Sequence, residues 1–250
     1  MLNEKYKFTG IPMRTWNWLG VNEVKTELEP EFQTISINIG ETKKITEVNL
    51  STEISAKKLH FKVADNAQLD LIVVDLSEAD SFSEIVVDLE GNDSKANISA
   101  AYFGFGNRKL DLNYIIHQRG KRSEATMDVK GALSGSCDKI FRGTLDFVKG
   151  AKGSVGREKE EVIVLSDTVR NRSVPLMLSA EDEVDGHHAV SVGRMDEEKL
   201  FYLMSRGLDK LEAEKLIVEA AFNPIITQLD DEKLIDKISE IIERRLTDVD

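Results

Sequence analysis

The chain has one cysteine, Cys137, among its 250 residues. A single thiol cannot close an internal disulfide, and a secreted chain would be expected to carry more, so the sequence points to a reducing cytoplasm. With no Cys-x-x-Cys pair, a zinc ribbon and a cluster held by the cysteines of one chain are excluded. No apolar run reaches about 18 residues, so nothing reads as a bilayer-spanning helix. Met1-Leu2-Asn3-Glu4-Lys5 lacks a basic stretch followed by an apolar one, so it does not read as a secretory signal. Catalytic signatures are missing too: there is no HExxH and no G-x-S-x-G. Gly104-Phe105-Gly106-Asn107-Arg108-Lys109 is glycine-rich but lacks the GxxxxGK[ST] spacing that cradles phosphate. Positive charge is outnumbered, with 33 Lys/Arg against 45 Asp/Glu. The net charge is −12, and residues 196–250 hold 15 Asp/Glu against 8 Lys/Arg. Such a surface repels phosphate backbones and anionic lipid, which argues against nucleic-acid and membrane partners.

What is present is period-two alternation. Thr34-Ile35-Ser36-Ile37-Asn38-Ile39, Ala96-Asn97-Ile98-Ser99-Ala100, Leu110-Asp111-Leu112-Asn113-Tyr114 and Thr144-Leu145-Asp146-Phe147 each place apolar residues at every second position, the strand signal. A repeat runs through these strands. Gly91-Asn92-Asp93-Ser94-Lys95-Ala96, Gly120-Lys121-Arg122-Ser123-Glu124-Ala125 and Gly150-Ala151-Lys152-Gly153-Ser154-Val155 each open a polar turn on glycine and reach a small apolar residue five positions later. With weaker copies, the apolar marks fall at Ile45, Leu69, Ala96, Ala125 and Val155. That period predicts a mainly β solenoid over residues 35–193 with all five marks inward. An antiparallel sandwich is the alternative. Residues 1–34 read as an irregular lead, with Trp16 and Trp18 on one face of an extended cap over an end of the core.

After Gly193 the texture becomes helical. Asp196 caps a helix carrying Leu200, Phe201 and Leu203 to a stop at Gly207. Asp209 caps a second, which Asn223-Pro224 is expected to break. Asp230 or Asp231 caps a third with Leu234, Ile238, Ile241, Ile242 and Leu246 on one stripe. Residues 194–250 therefore read as a helical domain of three or four helices. Leu200, Phe201 and Leu203 are too many for one narrow stripe facing the body, which suggests a second, partner-facing surface.

Candidate chemistry is sparse. His187 and His188 are adjacent, so on a strand they face opposite sides. Glu183 and its acidic neighbours could add oxygen ligands, which makes His188, His187 and Glu183 the metal candidates. Cys137 sits in a Ser/Gly turn beside Asp138 and Lys139, where partial exposure would favour the thiolate. The leading reading is nevertheless a small buried hydrophobe, as most free cysteines are.

The stretch from Val174 to Phe222 resembles the C-terminal signature of the SufB/SufD family, scaffold subunits of iron–sulfur cluster assembly. The residues are Val174-Pro175-Leu176, Val184-Asp185-Gly186-His187-His188-Ala189, Ser191-Val192-Gly193, Leu200-Phe201-Tyr202-Leu203, Ser205-Arg206-Gly207-Leu208 and Glu212-Ala213-Glu214-Lys215. The likeness begins near Ile140-Phe141-Arg142-Gly143 and is faint before Leu110. It implies a right-handed parallel β-helix with a C-terminal helical domain, pairing of two such bodies, and helices that grip a SufC-type ABC ATPase through Leu200, Phe201, Tyr202, Arg206 and Gly207. It also implies a transient iron–sulfur cluster or iron as cargo, with His188, His187 and Cys137 as candidate ligands. His188 falls where SufD-type chains carry a histidine in a Cys-Ser-His-Gly-Ala-Thr-Val-Gly run. The cysteine of that run is Gly186 here, and the SufB scaffold cysteine, expected near Val169, is absent. The leading expectation is a non-catalytic scaffold. A β-solenoid binding a small ligand or polysaccharide is the runner-up, and a metalloenzyme around His187 and His188 is third.

Overall fold

The computed structural model describes residues 20–22, 24 and 26–247, so Trp16 and Trp18 lie outside the described residues. The strands are β1 (Phe32–Ile37), β2 (Thr42–Asn49), β3 (Ser55–Val63), β4 (Gln68–Asp75), β5 (Ser81–Leu89) and β6 (Lys95–Gly104). They continue as β7 (Lys109–Gln118), β8 (Glu124–Leu133), β9 (Asp138–Phe147), β10 (Val155–Val164), β11 (Arg170–Ser179) and β12 (Asp185–Arg194). Odd strands stack as sheet A, in the order β1-β3-β5-β7-β9-β11. Even strands stack as sheet B, β2-β4-β6-β8-β10-β12. Every described pairing is parallel. The chain thus winds through about six coils as a flattened solenoid, not an antiparallel sandwich.

Between the sheets runs a lumen filled by rows of Leu, Ile, Val, Phe and Tyr. Each fully buried aliphatic or Phe side chain is worth roughly 1.5–3 kcal/mol, which is why strands with only their lumen face buried show alternation. Leu69, Ala96 and Ala125 form one inward column, and Ile45 faces the lumen two residues further along its strand. Val155 does not point inward. It pairs with Glu124, and Gly156 takes the place above Ala125. The cause is turn length. Gly91 and Gly120 precede their turn serines, Ser94 and Ser123, by three residues, whereas Gly150 precedes Ser154 by four. The stacked feature of this corner is the serine column, with Ser123 Oγ 2.9 Å from Ser154 Oγ. A Cβ on Gly120 would overlap the Gly91 carbonyl one coil away, so glycine is required there.

Three helices follow among the described residues: α1 (Glu197–Ser205), α2 (Lys210–Ile226) and α3 (Glu232–Thr247). Asp196 accepts from the Glu198 and Lys199 amides, Asp209 forms a capping box with Glu212, and Asp231 accepts from Lys233 N. Gly207, at φ +101°, follows the Arg206 C-cap in the left-handed region that glycine supplies. Pro224 does not break α2, which runs on to Ile226. So close to the helix end, its missing N–H costs one hydrogen bond, and packing of Ile225 and Ile226 outweighs that loss. Helices α2 and α3 lie on the outer face of sheet B, where Val218, Phe222, Ile225, Ile238, Ile242 and Leu246 meet Ile72, Val74, Ala101 and Phe103.

Candidate functional site at the open end of the solenoid

The last coil is the least covered part of the body. Strand β12 pairs only with β10, and β11 only with β9, so each has one free edge. His188 stands on β12 in register with Glu158 of β10, on the lumen side and exposed at its mouth. His187 points the other way, with Nε2 2.9 Å from Asp185 Oδ1. Glu183 sits in the preceding turn, paired with Lys152 at 2.7 Å. The structure therefore does not bring the three together. Among the described residues, no three or more His, Cys, Asp or Glu side chains are placed to hold a metal ion.

Cys137 is fully buried at the β8–β9 corner, one coil away from β12. Burial pushes its thiol up to about 11. The structure thus shows the buried hydrophobe and not the partly exposed thiolate, and the neighbouring Lys139 turns into the lumen and pairs with Glu160. Cys137 behaves as a core residue.

Beneath His188 the lumen changes from apolar to polar. Lys139 and Glu160, both 0% exposed, form an ion pair. Lys139 Nζ also donates to Ser173 Oγ at 3.0 Å, and the Tyr102 hydroxyl donates to Glu160 Oε1 at 2.8 Å. Tyr102 fits only because Gly131 leaves room for its ring. Glu158, 2% exposed, reaches across the lumen onto Gly143, where a Cβ would overlap its Oε1. Neither Glu158 oxygen has a hydrogen-bond partner. One ammonium thus faces two carboxyls. Burial, and then the Glu160 charge, push the Glu158 carboxyl up to about 8, so it stays protonated at neutral pH.

Sequence reasoning missed this cluster. Arg157-Glu158-Lys159-Glu160-Glu161 reads as a solvated strand, because charges fill both faces. The signal was two glycines within strands, Gly131 and Gly143, which leave space in the core for Tyr102 and Glu158 respectively.

The partner candidates lie at the other appendage. Phe201 is 75% and Tyr202 56% exposed, Leu200 is half-buried, and Arg206 and Gly207 are exposed at the end of α1. The Arg206 guanidinium lies 5.2 Å over the Tyr202 ring.

A parallel β-solenoid with a polar lumen end and a docked helical unit defines the class of protein. The family model described as SUF system FeS cluster assembly, SufBD core domain, matches residues 34–221, and the chain belongs to that family. The match reaches much further back than the motifs near Ile140 suggested. SufD, the iron–sulfur cluster assembly protein of Bacillus subtilis (strain 168), is 31% identical over 171 residues, covering 68% of this chain and 39% of that protein. An iron–sulfur cluster assembly SufBD family protein of Pyrococcus horikoshii is 29% identical over 153 residues, covering 61% of this chain and 34% of the relative. One from Mycobacterium leprae is 28% identical over 169 residues, covering 64% and 43%. The chain spans less than half the length of these relatives. Membership in the family supports a role in iron–sulfur cluster assembly. No helix among the described residues is long and apolar enough to cross a membrane.

Proposed function

We propose that this chain is a non-catalytic scaffold subunit of a SUF-type iron–sulfur cluster assembly complex. In this reading it docks a SufC-type ABC ATPase through its C-terminal helices and pairs with itself or another SufB/SufD-type chain. The observation that carries the reading is the apolar surface of α1. No residue of α1 is buried, although it packs against α2, and Phe201, Tyr202 and Met204 face solvent. Large exposed rings on a short capped helix are what a groove on a partner would bury. The double substitution Phe201→Ala/Tyr202→Ala removes only exposed groups and should leave the melting temperature unchanged. It is expected to weaken capture of the ATPase at least tenfold, as loss of two aromatic anchors does at about 1.4 kcal/mol per decade. Undiminished capture would put the docking surface elsewhere.

The end coil supports the pairing part of the proposal. Val190 and Val192 are 37% and 48% exposed beside the free edge of β12. An uncovered apolar edge is a template for a second chain. Light scattering at tens of micromolar should show a dimer, and Val192→Lys should return it to monomer. A wild-type monomer would count against pairing. Pairing here would enclose His188, the side chain this reading assigns to the cluster or iron cargo. The ligand- or polysaccharide-binding alternative gains nothing from the surface. Phe32, Phe201 and Tyr202 are the exposed aromatic residues among those described, and they form no ladder for sugars.

A further inference from the structure

The lumen is also irregular where the solenoid begins. Strand β1 starts at Phe32, opposite Lys58 of β3, so among the described strands none stacks above Ser55, Ala56 or Lys57. Strand β2 is the first of sheet B, so Glu47 has a strand neighbour on one side only, at Val73. A cavity of about 260 Å³ lies at this place, reaching from Glu47 and Lys57 down to Tyr114. Its inner part is apolar, lined by the buried Leu59, Val73, Ile85 and Tyr114. The room comes from Ser83. It stands in register with Leu112 and, one coil further on, Phe141, and leaves free the space that those larger side chains fill. Ser83 stays partly exposed although it faces the lumen.

The polar groups of the cavity fall into two sets. Along one wall, Asn49 Nδ2 donates to Ser55 Oγ at 2.9 Å and to Ser81 Oγ at 3.1 Å, Ser81 donates to Asp75, and Arg108 donates to Asp75 at 3.0 Å. Those side chains are bonded to one another and ask nothing of a ligand. At the mouth, the Lys57 ammonium pairs with the Glu47 carboxylate across the lumen, from β3 in sheet A to β2 in sheet B. Both side chains reach solvent, 47% and 25% exposed. An exposed pair of this kind contributes little to stability, so it parts readily. The mouth thus offers one positive and one negative group over an apolar floor.

We propose that this cavity binds a free α-amino acid with an apolar side chain. The ligand's carboxylate meets Lys57, its ammonium meets Glu47, and its side chain lies against Leu59, Val73 and Ile85. A molecule with charge of one sign would leave half of the mouth pair without a partner, whereas a zwitterion serves both with charge-assisted hydrogen bonds. The volume falls below the roughly 300–1,000 Å³ usual for drug-sized ligands, which suits a molecule of amino-acid size. The site lies at the opposite end of the solenoid from His188 and does not rest on the assembly role.

An NMR titration of the full chain with L-leucine should give saturable shifts at Lys57, Ser83 and Ile85. Shifts confined to other residues, or none that saturate by tens of millimolar leucine, would overturn the proposal. Isocaproate lacks the ammonium and isoamylamine lacks the carboxylate, so each should bind at least about threefold more weakly than leucine. Glycine lacks the side chain and should bind at least about tenfold more weakly. Isocaproate or isoamylamine binding as tightly as leucine would overturn the zwitterion. Ser83→Leu fills the cavity and should weaken leucine at least about tenfold with an unchanged melting temperature. If that variant fails to fold, Lys57→Gln changes only an exposed side chain and should weaken leucine at least about threefold. Undiminished binding to either folded variant would place the leucine elsewhere and overturn the site.

Discussion

Replacing Arg245 with alanine is expected to unseat the C-terminal helices and cost about 3 kcal/mol or more of unfolding free energy. Arg245 comes from the last turn of α3 and is 1% exposed. Its Nη1 donates to the Phe103 carbonyl at 2.9 Å, and its Nη2 to the carbonyls of Leu76 and Ser77. The guanidinium stacks 4.4 Å from the Phe105 ring centroid. Burial, with Arg108 nearby, pushes its pKa down to about 9, so the charge is held at a cost. The carbonyls and the neighbouring Asp75, which also binds Arg108 at 3.0 Å, offset that cost. Alanine would take the Arg245 donor from the Leu76 carbonyl, leave the Ser77 and Phe103 carbonyls to Arg108 alone, and open a void on the sheet B face. Lysine keeps the charge but cannot serve the carbonyls with one planar fork, so Arg245→Lys should recover less than half of the loss. Urea denaturation measures the effect, and limited proteolysis should show cleavage between β12 and α2 first. A loss under 1 kcal/mol would mean the helices are held by their apolar face alone.

Glu158→Gln should act in the opposite direction. The folded pKa of Glu158, about 8, lies above its ordinary value of 4.5. The folded state therefore holds a proton that the unfolded state releases between those values. Stability contributed by the protonated form is fully present below pH 4.5 and is lost progressively as pH rises toward 8. At one pKa unit per 1.36 kcal/mol, the penalty at pH 7 is on the order of 3 kcal/mol. Glutamine removes the ionisation but still buries an unpartnered amide, so the net gain at pH 8 should be about 1–3 kcal/mol. Melting curves at pH 5, 6.5 and 8 should show a falling series in the wild type and a flatter one in the variant. Parallel series would mean that Glu158 finds a partner or solvent when it ionises.

Much of the fold was legible from residue order. Alternation along β1, β7 and β9 needs only one face in the lumen, and the small-residue turns recur because each coil must turn at the same corner. The caps Asp196, Asp209 and Asp231 are local chemistry and need no tertiary partner. By contrast, β4 and β6 contain near-continuous apolar runs, Leu71-Ile72-Val73-Val74 and Ala100-Ala101-Tyr102-Phe103, whose period hides their direction. Their second face is buried by α2 and α3, which come more than 100 residues later.

The amino-acid sequence by itself determined the solenoid, the switch to helices after Gly193, the lack of a catalytic motif and the family. These rest on short-range periodicity, capping and motif order, which are properties of neighbouring residues. Tertiary structure alone decided that Val155 faces out and that His187, His188 and Glu183 do not converge. It also decided that Lys139, Glu158, Glu160 and Tyr102 meet inside the lumen. Those outcomes depend on which residues stack from one coil to the next, and a single extra residue in the turn after Gly150 shifts that register. No local pattern reports stacking between positions some 30 residues apart, so burial and electrostatics there emerge only once the coils are closed.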